Sequence, residues 1–160
     1  MMLRPATAAD FGFIRSLTSN PAYAPFVGDT EDAGLAQWVA DPTVQVLIWG
    51  DRAGFAVFRQ IGDPSGAVEL FRLALARVNS GSGAAFVRAL TDHAFERLGA
   101  ARVWLDASGE NLRAHRVYVA AGYQVEGRLR QQWFRPVLGR NVDLVMFGML
   151  RDEWLALPGR

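Results

Sequence analysis

The strand-like run that ends in Leu73-Ala74-Leu75-Ala76 stops at Arg77-Val78-Asn79-Ser80-Gly81-Ser82-Gly83, and a helical pattern starts at Ala84-Ala85. A strand, a loop with glycines at alternate positions and a helix commit this stretch to a βα unit. They also aim a row of backbone N–H groups and a helix N-terminus at one spot, a ready place for a phosphate.

The rest of the chain fills in around that unit. Met2 to Pro5 reads as a short first strand, and Thr7 or Asp10 as the cap of a helix with Phe11, Ile14 and Leu17 on one face. Asn20 to Thr30, with Pro21, Pro25 and Gly28, reads as a loop carrying exposed aromatics, Tyr23 and Phe26. Thr30 to Ala40 is expected to be a helix with Leu35, Trp38 and Val39 as its apolar side, closed by Pro42. Val44 to Trp49 and Ala53 to Arg59 form a hairpin signal, and Ala67 to Ala76 is the strand before the glycine loop. Val87, Leu90, Ala94 and Leu98 fall at helical spacing, with Arg88, Asp92 and Glu96 on a solvated side and Gly99 as the stop.

Arg102 to Asp106 is a short buried strand, and Ser108 to Asn111 is a loop that enters a helix running to Ala121. Tyr123 to Arg130 and Asn141 to Leu150 are the last two strands, with a loop at Pro136 to Gly139. The fold class is α/β: a single domain over residues 1–160, with a mixed, mostly antiparallel sheet of about seven strands flanked by about four helices.

Composition closes off several classes of function. A formal net charge of +1 argues against a bulk nucleic-acid binder. The absence of Cys removes disulfides, thiolate nucleophiles and Cys-based metal sites. His93 and His115 show no metal-ligand spacing, so no metal is expected. No signal peptide or membrane span is visible, which makes the cytoplasm the expected location. All 17 basic residues are Arg, which reads as gene base composition or as a supply of bidentate phosphate contacts.

Gly81-Ser82-Gly83 alone admits three readings. It can be a tight turn. It can be a dinucleotide fingerprint, with Asp106 closing the next strand; Phe86 and the scarcity of βα units oppose this. Or it can cradle the pyrophosphate of an acyl-CoA. Here the chain resembles the GNAT superfamily of acyl-CoA-dependent N-acyltransferases, whose loop is usually Arg/Gln-x-x-Gly-x-Gly/Ala. Val78-Asn79-Ser80-Gly81-Ser82-Gly83 matches the glycines and departs at Val78. The resemblance extends to Glu69–Leu75, to Asp92–Ala100 and to Asn111–Tyr118 followed by Ala121-Gly122-Tyr123. Glu126–Arg130 and the strand from Asp143 to Met149 are similar to the branch of ribosomal-protein alanine acetyltransferases, the RimJ/RimL type.

The resemblance implies an acetyl-CoA-dependent N-acetyltransferase acting in a ternary complex on a primary amine, either a peptide N-terminus or a small molecule. It implies a fourth strand splayed from the fifth, with acetyl-CoA held along Leu73, Leu75, Val78, Asn79, Ser80, Gly81, Ser82, Gly83 and Ala84, and by Asn111 and Tyr118. Asn111 and Tyr118 are two turns apart on one helix face, about 10 Å along the axis. Tyr118 would be the general acid for the leaving thiolate, or a core tyrosine; Asn111 would serve the cofactor, cap the helix, or both. Glu69 would be the base if its burial raises its pKa, or an ion-paired carboxylate; Asp106 is the next candidate, as base or amine anchor. Tyr23, Phe26, Trp38, Trp133 and Phe134 would line an acceptor cleft, form a homodimer interface or simply pack. A CoA-binding sensor without turnover is the alternative function.

Overall fold

A computed structural model describes residues 1–160. One seven-stranded sheet organises the chain. Strand β1 (Leu3–Pro5) leads through a 3-10 turn at Ala8–Asp10 into helix α1 (Phe11–Thr18), and α2 (Asp32–Ala40) follows. Strands β2 (Gln45–Trp49), β3 (Gly54–Arg59) and β4 (Ala67–Leu75) form an antiparallel meander. Helix α3 (Gly83–Glu96) crosses to β5 (Arg102–Ser108), and α4 (Leu112–Ala120) to the long hairpin of β6 (Gln124–Arg135) and β7 (Arg140–Leu150). Spatial order is β1-β2-β3-β4-β5-β7-β6, with β4 and β5 as the parallel neighbours. One parallel pair leaves no doubly wound sheet, which removes the structural basis of the dinucleotide reading.

Each face of the sheet carries its own core. On one side Phe11, Ile14, Leu17 and Leu35 from α1 and α2 pack on Val46, Ile48, Phe55 and Val57. On the other, Phe86, Leu90 and Phe95 from α3 pack on Leu47, Phe58, Leu70, Val103, Leu105 and Phe147. Alternation along β2 and β3 sends successive side chains to opposite cores, so strands buried on both faces read as unbroken apolar runs. Each of the fully buried Leu, Ile and Phe side chains is worth about 1.5–3 kcal/mol in water removed.

Several boundaries differ from the sequence reading, for identifiable reasons. Strand β6 does not stop at Arg130 but resumes after a register shift between Leu129 and Trp133, where Gln131 takes a positive φ and its N–H donates to Asp143 Oδ1 at 2.8 Å. A bulge of polar residues carries no turn signal that a sequence scan would catch. A fifth helix, α5 (Arg151–Leu155), was not expected; it stacks Trp154 on Phe95, with ring centroids 4.9 Å apart. Asp92, expected on a solvated face, accepts the Trp154 indole N–H at 2.9 Å. Leu98 lies beyond the end of α3, and Val39 is exposed. Tyr23 and Phe26 are half-buried rather than exposed.

What positions the site is a break in the sheet. Strands β4 and β5 pair only from Ala67↔Arg102 to Glu69↔Trp104. Beyond that point β4 keeps its pairing with β3, and β5 follows β7 out to Ser108↔Leu144. The β3–β4 register jumps from Phe58↔Leu70 to Val57↔Arg72, leaving Phe71 as an extra residue. A bulge bends its strand and increases local twist, and here it coincides with the point where β4 leaves β5.

Candidate active site

The splay exposes the edge of β4. Ala76 N–H donates to Ala53 O at 2.8 Å, on the β3 side. Antiparallel pairing alternates, so Ala74 and Arg72 also turn their backbone groups to β3, whereas Leu73 and Leu75 turn theirs into the gap. The hydroxyl of Tyr23 confirms the direction, because it reaches across and donates to Leu75 O at 2.5 Å. The remaining groups, Leu73 N–H and C=O and Leu75 N–H, face a cleft rather than a strand.

That cleft has two chambers, of about 240 and 510 Å³, which share Phe26, Val27, Leu73, Asn111 and Tyr118 as lining. The larger follows Leu73, Leu75 and Val78 to Asn79 and Gly83, with Leu112, Arg113, Arg116 and Val117 of α4 opposite. The smaller lies beyond Tyr118, between Phe71 and Arg72 on β4, Asp106 on β5 and Trp133 on β6.

The glycine loop is exposed as far as Gly81, and Ser82 and Gly83 are half-buried. Asn79 and Gly81 have φ of +59° and +75°, so Gly81 is required for its backbone conformation. Gly83 is not: a Cβ there would meet only the Val117 side chain, at 3.6 and 3.9 Å. Helix α3 begins without a side-chain cap, which leaves its first N–H groups open to an anion. Of the residues expected around the cofactor, Leu73, Leu75, Val78, Asn79, Gly83, Asn111 and Tyr118 line the larger chamber, while Ser80, Gly81, Ser82 and Ala84 do not.

Arg77, Arg113 and Arg116 also line the larger chamber, and none of them has a carboxylate partner. The sequence reading missed all three. Arg113 and Arg116 sit at (i, i+3) spacing just after Asn111, a signal that was available; Arg77 stands beside Val78, where a polar side chain was expected. Unfilled helix N–H groups, free guanidiniums and an unpaired strand edge together fit the phosphates and the amide-bearing arm of an acyl-CoA.

Helix α4 delivers the two residues read from its spacing. Asn111 caps it, with Oδ1 accepting from Ala114 N–H at 3.3 Å, and also lines both chambers. The cap spends only the side-chain oxygen, so the amide NH₂ has no partner within the chain. The His115 ring hydrogen-bonds Ser108 O at 2.8 Å and ties α4 to β5. One turn on, Tyr118 is wedged edge-on against Phe147, with centroids 5.4 Å apart. Burial pushes its hydroxyl well above the usual tyrosine range, with Tyr123 and Asp106 adding to the rise, and no side chain holds that hydroxyl.

The two carboxylates separate sharply. Val68 and Leu70 point into the α3 core, so Glu69 points to the other face. There Arg59 grips it with two hydrogen bonds, Nε to Oε2 at 2.9 Å and the terminal nitrogen to Oε1 at 3.1 Å. Burial raises the Glu69 pKa while Arg59 opposes the rise, and Glu69 does not line either chamber. Asp106 does. Its neighbours Leu105 and Ala107 point into the α3 core, and Asp106 faces the smaller chamber with no hydrogen bond or ion pair. Burial raises its pKa, with Arg59 as the opposing charge.

Fold and cleft together define an acyl-CoA-binding architecture, and the family comparison agrees. The model of the acetyltransferase (GNAT) domain matches residues 1–124, and the chain belongs to that family. Acetyl-CoA is the donor these acetyltransferases use, which makes the chain an N-acetyltransferase by membership. Among solved structures it is similar to a spermidine N-acetyltransferase from Vibrio cholerae in complex with CoA and spermine, at 20% identity and a TM-score of 0.83, covering 96% of this chain and 97% of that one. A dodecameric form of the Vibrio cholerae enzyme matches at 20% identity and 0.80, covering 97% and 96%. A single-substitution variant matches at 18% identity and 0.84, covering 98% of each. At such identities the likeness establishes the fold. No curated protein sequence matches the chain. No helix is long and apolar enough to cross a membrane.

Proposed function

We propose that the chain transfers an acetyl group from acetyl-CoA to a primary amine that enters the smaller chamber, in a ternary complex. The observation that carries this reading is the junction of the two chambers. Tyr118 stands there, with the unpaired β4 edge on one side and the unpaired Asp106 on the other. Acetyl-CoA supplies an activated acyl carbonyl.

The chain's own residues do the rest. Leu73 and Leu75 offer backbone N–H groups that orient the donor and stabilise negative charge on oxygen, in a cleft lined by the apolar side chains of Phe26, Val27 and Leu73. Arg77, Arg113, Arg116 and the start of α3 hold phosphate charge, and the Asn111 amide orients the arm between them. Asp106 anchors the acceptor ammonium and takes its proton; a carboxylate whose pKa is lifted by burial is a better base near neutral pH than an exposed one. Tyr118 keeps its proton up to high pH and holds it at the hydroxyl for the departing sulfur. The basic role first assigned to Glu69 passes in this proposal to Asp106, because Arg59 already occupies both Glu69 oxygens.

A peptide N-terminus, kinship with the ribosomal-protein acetyltransferases, a cytoplasmic site of action and a homodimer belong to the same reading. Val125, Leu129 and Phe134, exposed on β6, support the homodimer. Calorimetric titration with acetyl-CoA tests the donor site, and thiol release across an amine panel tests transfer. Binding with release confirms the reading. Tight CoA binding with no release from any amine favours the sensor alternative, and no binding at millimolar acetyl-CoA overturns both.

A further inference from the structure

The smaller chamber holds two formal charges of opposite sign, and neither has a direct ion-pair partner. Asp106 enters from β5 and Arg72 from β4. Arg72 is mostly buried, which pushes its pKa down to about 10. It donates one hydrogen bond, to Thr30 Oγ1 at 2.5 Å, and rests against Phe71 and Trp38, 4.8 and 5.3 Å from their ring centroids. It has no carboxylate partner. The nearby acids are committed elsewhere: Asp29 to Thr18 and Arg15, Glu69 to Arg59. Arg59 and Arg135 add positive charge around Arg72, which Asp29 only partly offsets from a distance, and Arg135 is itself spent on the carbonyls of Ala24 and Val27.

Gly28 is what leaves room beside this guanidinium. A Cβ at Gly28 would lie 2.6 Å from the outer nitrogen of Arg72. With one terminal nitrogen on Thr30, the Nε and the other terminal nitrogen form a free fork, the geometry that grips a carboxylate through two parallel bonds.

We propose, building on the acetyltransferase reading above, that the acceptor is a small primary amine carrying a carboxylate, with Asp106 taking the ammonium and Arg72 the carboxylate. A buried cation without a counter-ion is costly, and a ligand carboxylate cancels that cost. A polyamine does the reverse, since it brings a second cation toward Arg72, Arg59 and Arg135. The pocket therefore selects amino acids over polyamines, even though the chain shares its fold with spermidine acetyltransferases.

The test uses ω-amino acids of two to six carbons beside alkylamines and diamines of the same lengths, with spermidine as a further arm. Thiol release from acetyl-CoA should give at least one amino acid a kcat/KM about tenfold or more above its matched alkylamine and diamine, the size of one charge-assisted contact. In Arg72→Gln that ratio should fall to about one, and in Arg72→Lys to an intermediate value, because an ammonium keeps the charge and loses the fork. Loosening of the Thr30 loop would lower all arms alike and leave the ratio unmoved, which would overturn the role of Arg72. Alkylamines, diamines or spermidine matching the amino acids in the unsubstituted protein would overturn the proposal while leaving acetyl transfer intact. Calorimetry of the CoA-loaded protein gives a readout independent of turnover: amino acids should bind tighter than matched alkylamines, and equal affinity counts against the proposal.

Discussion

Glu69 belongs to the last paired residues of β4 and β5 and is buried, Asp106 lies just beyond them and is half-buried, and the two have opposite surroundings. Glu69 sits on the paired side of the junction, opposite Trp104, with both oxygens on Arg59. Asp106 sits two residues beyond Trp104, in the splay, where the neighbouring strand has gone and no donor replaces it. Burial raises both pKa values. The partner decides what that burial is for: a gripped carboxylate holds two strands together, whereas an ungripped one stores an unmet need for a cation. The contrast teaches that the sheet's break, rather than the residue type, marks where chemistry is available.

Asp106→Asn should give the largest effect. It removes the proposed base and ammonium anchor, and kcat/KM for amines should fall about 100-fold or more in a thiol-release assay. Stability should move the other way. Because the folded pKa of Asp106 is raised, the folded state binds more protons than the unfolded chain between about pH 4 and that raised value, so stability falls as pH rises through the window. The cost grows as pH rises through that window, so Asp106→Asn should raise Tm more at pH 7 than near pH 3. A lowered Tm at pH 7 would break the comparison.

Glu69→Gln should leave both stability and turnover close to the parent. Arg59 is 38% exposed and only partly offsets the rise that burial gives the Glu69 pKa, so the change in stability at pH 7 should stay within about 1 kcal/mol. Chemical denaturation measures this directly, and kcat for amines should stay within about threefold of the parent, since Glu69 lines neither chamber. A loss of turnover matching that of Asp106→Asn would return the base to Glu69.

Tyr118→Phe should fall between the two, with about a tenfold fall in kcat and acetyl-CoA affinity unchanged, because a thiol of pKa about 8.5 leaves tolerably without help. Unchanged kcat would make Tyr118 a packing residue.

Much of the fold was legible because its signals are local. The apolar spacing of Phe11, Ile14 and Leu17, the glycine loop before α3 and the Asn111 cap each act within a few residues, and the structure places all of them as read. The misses are events that need a partner strand or a distant ring. The Gln131 bulge depends on Asp143, and α5 on a stack with Phe95. Glu69 was read as a possible ion pair with no partner assigned; β-pairing brought Arg59 opposite it.

By itself, then, the sequence determined the order of elements, the phosphate-facing loop and the helix that carries Asn111 and Tyr118, because periodicity and capping are properties of neighbours along the chain. Only the tertiary structure decided which carboxylate is free, which arginines face the cleft and where the sheet opens. Those depend on register across strands, and a single bulge at Phe71 marks the point beyond which every such partner changes.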